Sequence, residues 1–169
     1  ADRLERMTGT HNRSETAVDV ARNYVGGWVE PNGETRGVID PATGEEIARV
    51  HYSTTADVDE TVWTAYDAFE TWRATPPAER TQHLFALKRE LEERQAEIAH
   101  ALSREHGKTV AEASGEIRRG IENVEVAAGM PNMLRAGSGV VEGVATGMDE
   151  SAVRQPLGVF AAVVPFNFP

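Results

Sequence analysis

The sequence predicts an α/β fold: short β-hairpins, three amphipathic helices, a two-stranded β arm, and the opening strand of a parallel sheet. Three observations predict it. Between residues 22 and 50, short β-branched and aromatic runs alternate with turns rich in Gly, Asn and Pro. Between residues 58 and 128, apolar residues recur at helical period in three stripes. Residues 159–164 form an uninterrupted apolar run, the pattern of a strand buried on both faces.

Residues 1–21 are polar and poorly patterned, and are expected to be a mobile lead-in. Asn23-Tyr24-Val25 leads to Gly26-Gly27, and Trp28-Val29-Glu30 leads to Pro31-Asn32-Gly33. Val38-Ile39-Asp40 and Glu46-Ile47-Ala48-Arg49-Val50 flank Pro41-Ala42-Thr43-Gly44. Asn-Gly and Thr-Gly between such runs are hairpin signals. The first helical stripe is Val58, Val62, Ala65, Phe69 and Trp72, capped by Thr54 or Thr55 and ended by Pro76-Pro77. The second helix opens on Pro77, carries Leu84, Leu87, Leu91, Ile98 and Leu102, and closes at Gly107. The third begins near Lys108-Thr109, with Val110, Ala113, Ile117, Ile121, Val124 and Ala128 on one face. Hairpins and helices together make a unit of residues 22–136. After Pro131 the pattern changes, and glycines punctuate a two-stranded arm within 137–155, with strands near 140–146 and 150–155. Residues 156–169 then start the sheet.

The chain has 169 residues, enough for one domain with a core. Its net charge of −10 opposes binding to nucleic acid backbones. Lysine occurs only at Lys88 and Lys108, which fits either a salt-loving host or a GC-rich genome. There is no cysteine, so these residues hold no disulfide, thiolate metal site or cysteine nucleophile, and a cytosolic setting is expected. The run from Val159 to Val164 is too short to span a membrane, and the N-terminus has no apolar signal segment. A start at Ala1 without Met, and an apolar strand reaching almost to Pro169, suggest an incomplete chain.

Local chemistry is sparse. Gly137-x-Gly139 is followed by Gly143 and by no helix, so it is not a dinucleotide fingerprint. His11, His51, His83, His100 and His106 lack metal-ligand spacing, and no metal site is expected. Glu112, Glu116, Glu122 and Glu125 with Arg118 and Arg119 read as a solvated helix face. The C-terminal run carries more. A strand ending at Pro165-Phe166-Asn167-Phe168-Pro169 puts an amide just past a strand's carboxyl end, where open α/β sheets bind ligands. Asn167 there could donate an N–H to a developing oxyanion, or could cap the segment that follows.

Pro156-Leu157-Gly158-Val159 followed by Pro165-Phe166-Asn167-Phe168-Pro169 resembles the aldehyde dehydrogenase motif that follows the oligomerisation arm. Glu105-His106-Gly107-Lys108-Thr109 resembles the family's Glu-x-Gly-Lys segment between two helices. Asn23-Tyr24-Val25-Gly26-Gly27-Trp28 and Asp40-Pro41-Ala42-Thr43-Gly44-Glu45 resemble its opening hairpins. The similarity runs in order from about residue 22 to 169. Residues Gly115 to Glu125, continued by Val126 to Pro131, resemble the third helix of the methylmalonate-semialdehyde type. Phe166 stands where many aldehyde dehydrogenases carry Trp.

The resemblance implies the N-terminal portion of the aldehyde dehydrogenase fold, with residues 156–169 opening a Rossmann-like sheet. It implies NAD as cofactor and coenzyme A as co-substrate, acting on a small semialdehyde that carries a carboxylate. Asn167 maps to the oxyanion-hole Asn; Val164 and Phe166 map to the lining of the NAD site. Arg119 maps to a candidate partner for the substrate carboxylate, with Arg118 its neighbouring competitor. The implied enzyme is a cytoplasmic homo-oligomer, a dimer or tetramer joined through the β arm. As a fragment without a cysteine nucleophile, the chain is expected to be inactive alone. Two alternatives stand beside this reading: another aldehyde dehydrogenase, for instance a non-acylating one for succinate semialdehyde, and a stand-alone helical interaction module.

Overall fold

Short strands come first in the chain. A computed structural model describes residues 20–136 and 139–168 of the chain. Most of the lead-in, Gly137 at the start of the arm, and Pro169 at the end of the C-terminal motif lie outside the described residues.

The chain opens with β1 (Val20–Ala21), β2 (Asn23–Tyr24) and β3 (Trp28–Val29). Val20 and Ala21, grouped with the lead-in from sequence, pair in parallel with β5 (Glu46–His51). β4 (Thr35–Ile39) lies antiparallel on the other side of β5, giving the sheet order β1-β5-β4. The turn between β4 and β5 forms where Thr-Gly predicts it. Asp40 Oδ1 accepts from the Ala42 amide at 2.8 Å, and Gly44 takes φ +77. β2 and β3 pair antiparallel across Gly26-Gly27.

The Asn-Gly signal at Asn32-Gly33 closes no hairpin, because the flanking β3 and β4 belong to different sheets. Both residues are committed to other contacts. Asn32 donates from its backbone N to Asp57 Oδ2 at 3.2 Å and from Nδ2 to Oδ1 at 2.7 Å, tying the turn to the first helix. A Cβ on Gly33 would fall 1.5 Å from the Tyr52 carbonyl oxygen, so glycine is demanded there by close approach.

Four helices follow among the described residues. Helix α1 (Thr55–Trp72) begins at a complete capping box: the Thr54 Oγ1 accepts from the Asp57 amide, and the Asp57 carboxylate accepts from the Thr54 amide at 2.7 Å. The second predicted helix is two, α2 (Pro77–Glu93) and α3 (Gln95–His106), broken at Arg94 with φ −103 and ψ 10. Leu91 and Ile98 are seven apart, a spacing that keeps one apolar face across the break, so periodicity could not register it. Gln95 Nε2 donates to the Ser114 carbonyl at 3.1 Å, pulling the start of α3 onto the last helix. Helix α4 (Val110–Ala136) runs on through Pro131, where the sequence pattern changes. A proline there removes one helical N–H bond without ending the helix.

The buried centre is helical. Ala99, Leu102 and Ala113 pack together with Ile117 against them, and Ile121 is fully buried. Helix α1 buries none of its residues, although its stripe is apolar. Beyond α4, β6 (Gly139–Ala145) and β7 (Met148–Ala152) form the predicted arm, with Gly147 in the turn at φ +71 and every residue of both strands exposed.

Residues 153–168 form no ladder with any described strand. The strand expected at 159–164 is therefore unpaired here, and Val163 is fully exposed. Alternation and apolarity mark a segment that suits a sheet; the hydrogen bonds that make it a strand come from neighbours. Val159 to Ala162 instead face the α1 stripe at Val58, Val62 and Ala65 across an open cleft.

Candidate functional site

Lys108 stands at the meeting point of three elements. Helix α3 ends at Gly107, which takes φ +82 as a left-handed C-cap and donates its amide to the Ser103 carbonyl at 2.8 Å. A Cβ at Gly107 would sit 2.6 Å from Pro41 Cγ in the β4–β5 turn, so the chain reverses tightly against that loop. Ser103 Oγ then donates to the Lys108 carbonyl at 2.7 Å, and the Lys108 side chain leaves towards α4. Thr109 caps α4 reciprocally with Glu112: the Glu112 carboxylate accepts from the Thr109 amide at 2.9 Å and from its hydroxyl at 2.7 Å. Those bonds, the hydroxyl first, hold the Glu112 carboxyl below its usual range, with the Lys108 charge helping.

The Lys108 ammonium is 9% exposed and pairs with the Glu116 carboxylate, itself 14% exposed. It donates to the Asn167 carbonyl at 3.2 Å and lies 5.4 Å from the centre of the Phe168 ring. Glu116 Oε2 is buried with no hydrogen-bond partner among the described residues. Around this pair opens a groove of about 550 Å³, lined by His106, Lys108, Glu112, Gly115, Glu116, Arg119 and Phe168.

The structure separates the two adjacent arginines. Arg118 is engaged by three carboxylates, those of Glu125 at 3.0 Å and of Glu92 and Glu122 at 3.7 Å. Arg119 lines the groove, 79% exposed, with Glu122 at 3.0 Å as its ion-pair partner. A guanidinium so placed can take a second carboxylate bidentately. Arg119 and Phe168, the residue after Asn167, therefore share one groove. Val164 and Phe166 are exposed on the same segment, at 75% and 89%, and do not line it.

Lys108 lies within the Glu105–Thr109 motif, which by itself assigns it no role. The available signal was its rarity: it is one of two lysines in an arginine-rich chain. Its pairing with Glu116, eight residues on, lies outside the i,i+4 spacing of a helix surface and needed the turn at Gly107 to form. Among the described residues no group of three or more His, Cys, Asp or Glu could hold a metal ion, and no helix is long and apolar enough to cross a membrane.

A profile of the aldehyde dehydrogenase family matches residues 28–169. Malonate-semialdehyde dehydrogenase 2 of Oceanobacillus iheyensis is 42% identical over 158 residues, covering 92% of this chain and 32% of that protein. Malonate-semialdehyde dehydrogenase 1 of Geobacillus kaustophilus is 45% identical over 152 residues, 89% of this chain and 31% of that protein. A structure from Sinorhizobium meliloti 1021, described as a methylmalonate-semialdehyde dehydrogenase complexed with NAD, superposes with a TM-score of 0.85 at 34% identity. It covers 92% of this chain, which corresponds to 32% of that one. The chain thus spans about a third of the length of the relatives it matches. The ordered strands, the helices and the arm hairpin follow the N-terminal part of that fold. The chain belongs to the aldehyde dehydrogenase family.

Proposed function

We propose that this chain is the N-terminal part of an NAD-dependent, CoA-acylating dehydrogenase of methylmalonate or malonate semialdehyde. The observation that carries the reading is the groove that joins Arg119 on α4 to Phe168 beside Asn167. A cation on that groove, with Asn167 next in sequence to its Phe168 wall, suits a substrate with a carboxylate at one end and an aldehyde at the other. Relatives named for malonate semialdehyde, at 42% and 45% identity, support the same substrate class.

In this reading a cysteine thiolate from outside these residues attacks the aldehyde carbon. The Asn167 side-chain amide donates to the oxyanion as it forms, and Arg119 holds the far carboxylate so that the aldehyde meets the amide. NAD, when bound, supplies the hydride acceptor that turns the hemithioacetal into a thioester. The thioester loses its carboxylate as carbon dioxide, and the CoA thiol takes the acyl group to give propionyl-CoA or acetyl-CoA. The residues present fit one wall of a nicotinamide nucleotide site. Phe166 offers an exposed ring face, and the backbone at Val164 is taken up by no described strand. The wholly exposed hairpin of β6 and β7 supports assembly of a cytoplasmic enzyme into dimers or tetramers through the arm.

The test is steady-state kinetics on the full-length enzyme. NADH should form from either semialdehyde only with CoA present, and Asn167→Ala should lower kcat by about 10²–10³-fold. Arg119→Ala should raise KM for the semialdehyde far more than KM for a neutral aldehyde of similar size. CoA-independent oxidation, with succinate semialdehyde preferred, would instead make the protein a non-acylating member of the family.

A further inference from the structure

We infer that Lys108, paired with Glu116, is a positioning residue that holds Asn167 where it acts. The inference rests on the oxyanion role of Asn167 proposed above. Residues 153–168 pair with no described strand. Among the described residues, the bond from Lys108 Nζ to the Asn167 carbonyl is the one hydrogen bond that ties this segment to the rest of the chain.

Lys108 is suited to the task because it is itself immobilised. The left-handed Gly107 precedes it, Ser103 Oγ holds its carbonyl, and the Thr109 capping box follows it. Its side chain is 9% exposed, and an ammonium that buried needs a charged partner, which Glu116 provides. An ammonium carries three donors. One goes to Glu116 and one to Asn167, and the remaining positive edge lies towards the Phe168 ring. The two residues on which the segment rests are thus Asn167 and its successor. Holding the 167 carbonyl sets the orientation of that peptide, and with it the direction in which the Asn167 side chain leaves the backbone. Arg119 lies along the groove that Lys108 and Phe168 also line.

The experiment is a double-mutant cycle in the full-length enzyme, read as kcat and KM for NAD and semialdehyde. Lys108→Met is expected to lower kcat about tenfold or more, part of the ~10²–10³-fold that loss of an oxyanion donor costs. KM for NAD should stay within about twofold, and Lys108→Arg should recover part of the loss. In an Asn167→Ala background, Lys108→Met should change kcat by less than about twofold, since the group it positions is gone. Equal loss in both backgrounds would mark Lys108 as merely structural and overturn the inference. Lys108→Met alone strands a buried carboxylate, so Lys108→Met with Glu116→Gln removes both charges together. That variant should melt as wild type and still lose kcat; a folded, fully active one also overturns the inference. A wild-type kcat in Asn167→Ala would sink the reading of Asn167 as well, whereas the other failures sink this inference alone.

Discussion

Gly107 shows how much one backbone angle carries. With φ at +82 it occupies the left-handed region, and a methyl group there would meet Pro41 Cγ at 2.6 Å. Gly107→Ala should therefore cost about 2 kcal/mol from the backbone alone, measured as a lower denaturation midpoint. It should also loosen Lys108, whose approach to α4 begins at that turn. Asp57 makes a second residue-scale prediction. Its carboxyl is lowered from the ordinary 3.8 to about 2, by the backbone amide of Thr54 first, then the Thr54 hydroxyl, with the Asn32 donors adding to it. A carboxyl held low in the folded state adds stability above its unfolded pKa and loses it as pH falls through the folded one. Stability should accordingly decline between pH 4 and pH 2. In Asp57→Asn that part of the decline should vanish, as pH-dependent denaturant midpoints would register. Both residues were half legible. A glycine after α3 and a threonine cap before α1, Thr54 or Thr55, follow from the local sequence alone. That the glycine faces Pro41, and that Asp57 also anchors the Asn32 turn, follows only once the chain has folded back.

Elements were legible where a local rule decided them and illegible where a neighbour did. The caps at Thr54 and Thr109, the β4–β5 turn and the arm hairpin are set by residues within a few positions of each other. The break at Arg94 is set by Ser114 on α4 taking Gln95, and the seven-residue step from Leu91 to Ile98 hides it. Asn32-Gly33 carries a strong hairpin signal and is diverted because Asp57 offers better partners than a strand opposite. Helix α1 shows the same dependence. Its capping box stabilises it locally, so Thr54→Ala should cost about 1 kcal/mol of stability, read from thermal melts. Yet its apolar stripe stays open, with Val58 52% exposed, facing Val159 to Ala162 rather than a closed core. The Lys108–Asn167 bond, 59 residues apart in sequence, lies beyond any local rule. Only the two motifs at its ends could be read, not their meeting.

At the scale of the molecule, helices and hairpins are in place while apolar faces along the C-terminal segment stand open. Four residues, Ala99, Leu102, Ala113 and Ile121, make the buried apolar set among the described residues. Against that stand Phe160, Val163, Val164, Phe166 and Phe168, each 64% exposed or more along one segment. Exposed apolar surface of this extent is paid for only when something covers it. Relatives about three times as long as this chain carry the same segments. The chain of residues 1–169 by itself should then bind a hydrophobic dye strongly, self-associate at micromolar concentration, and melt over a broad range. Under the proposed function it should also form no NADH from semialdehyde, NAD and CoA, because it has no cysteine thiol. Under the proposed function, a protein as long as the relatives should melt more sharply, bind less dye and turn over semialdehyde. Cooperative melting of the short chain with no dye binding would show that its faces are natural surface, and would favour a self-sufficient module over part of an enzyme.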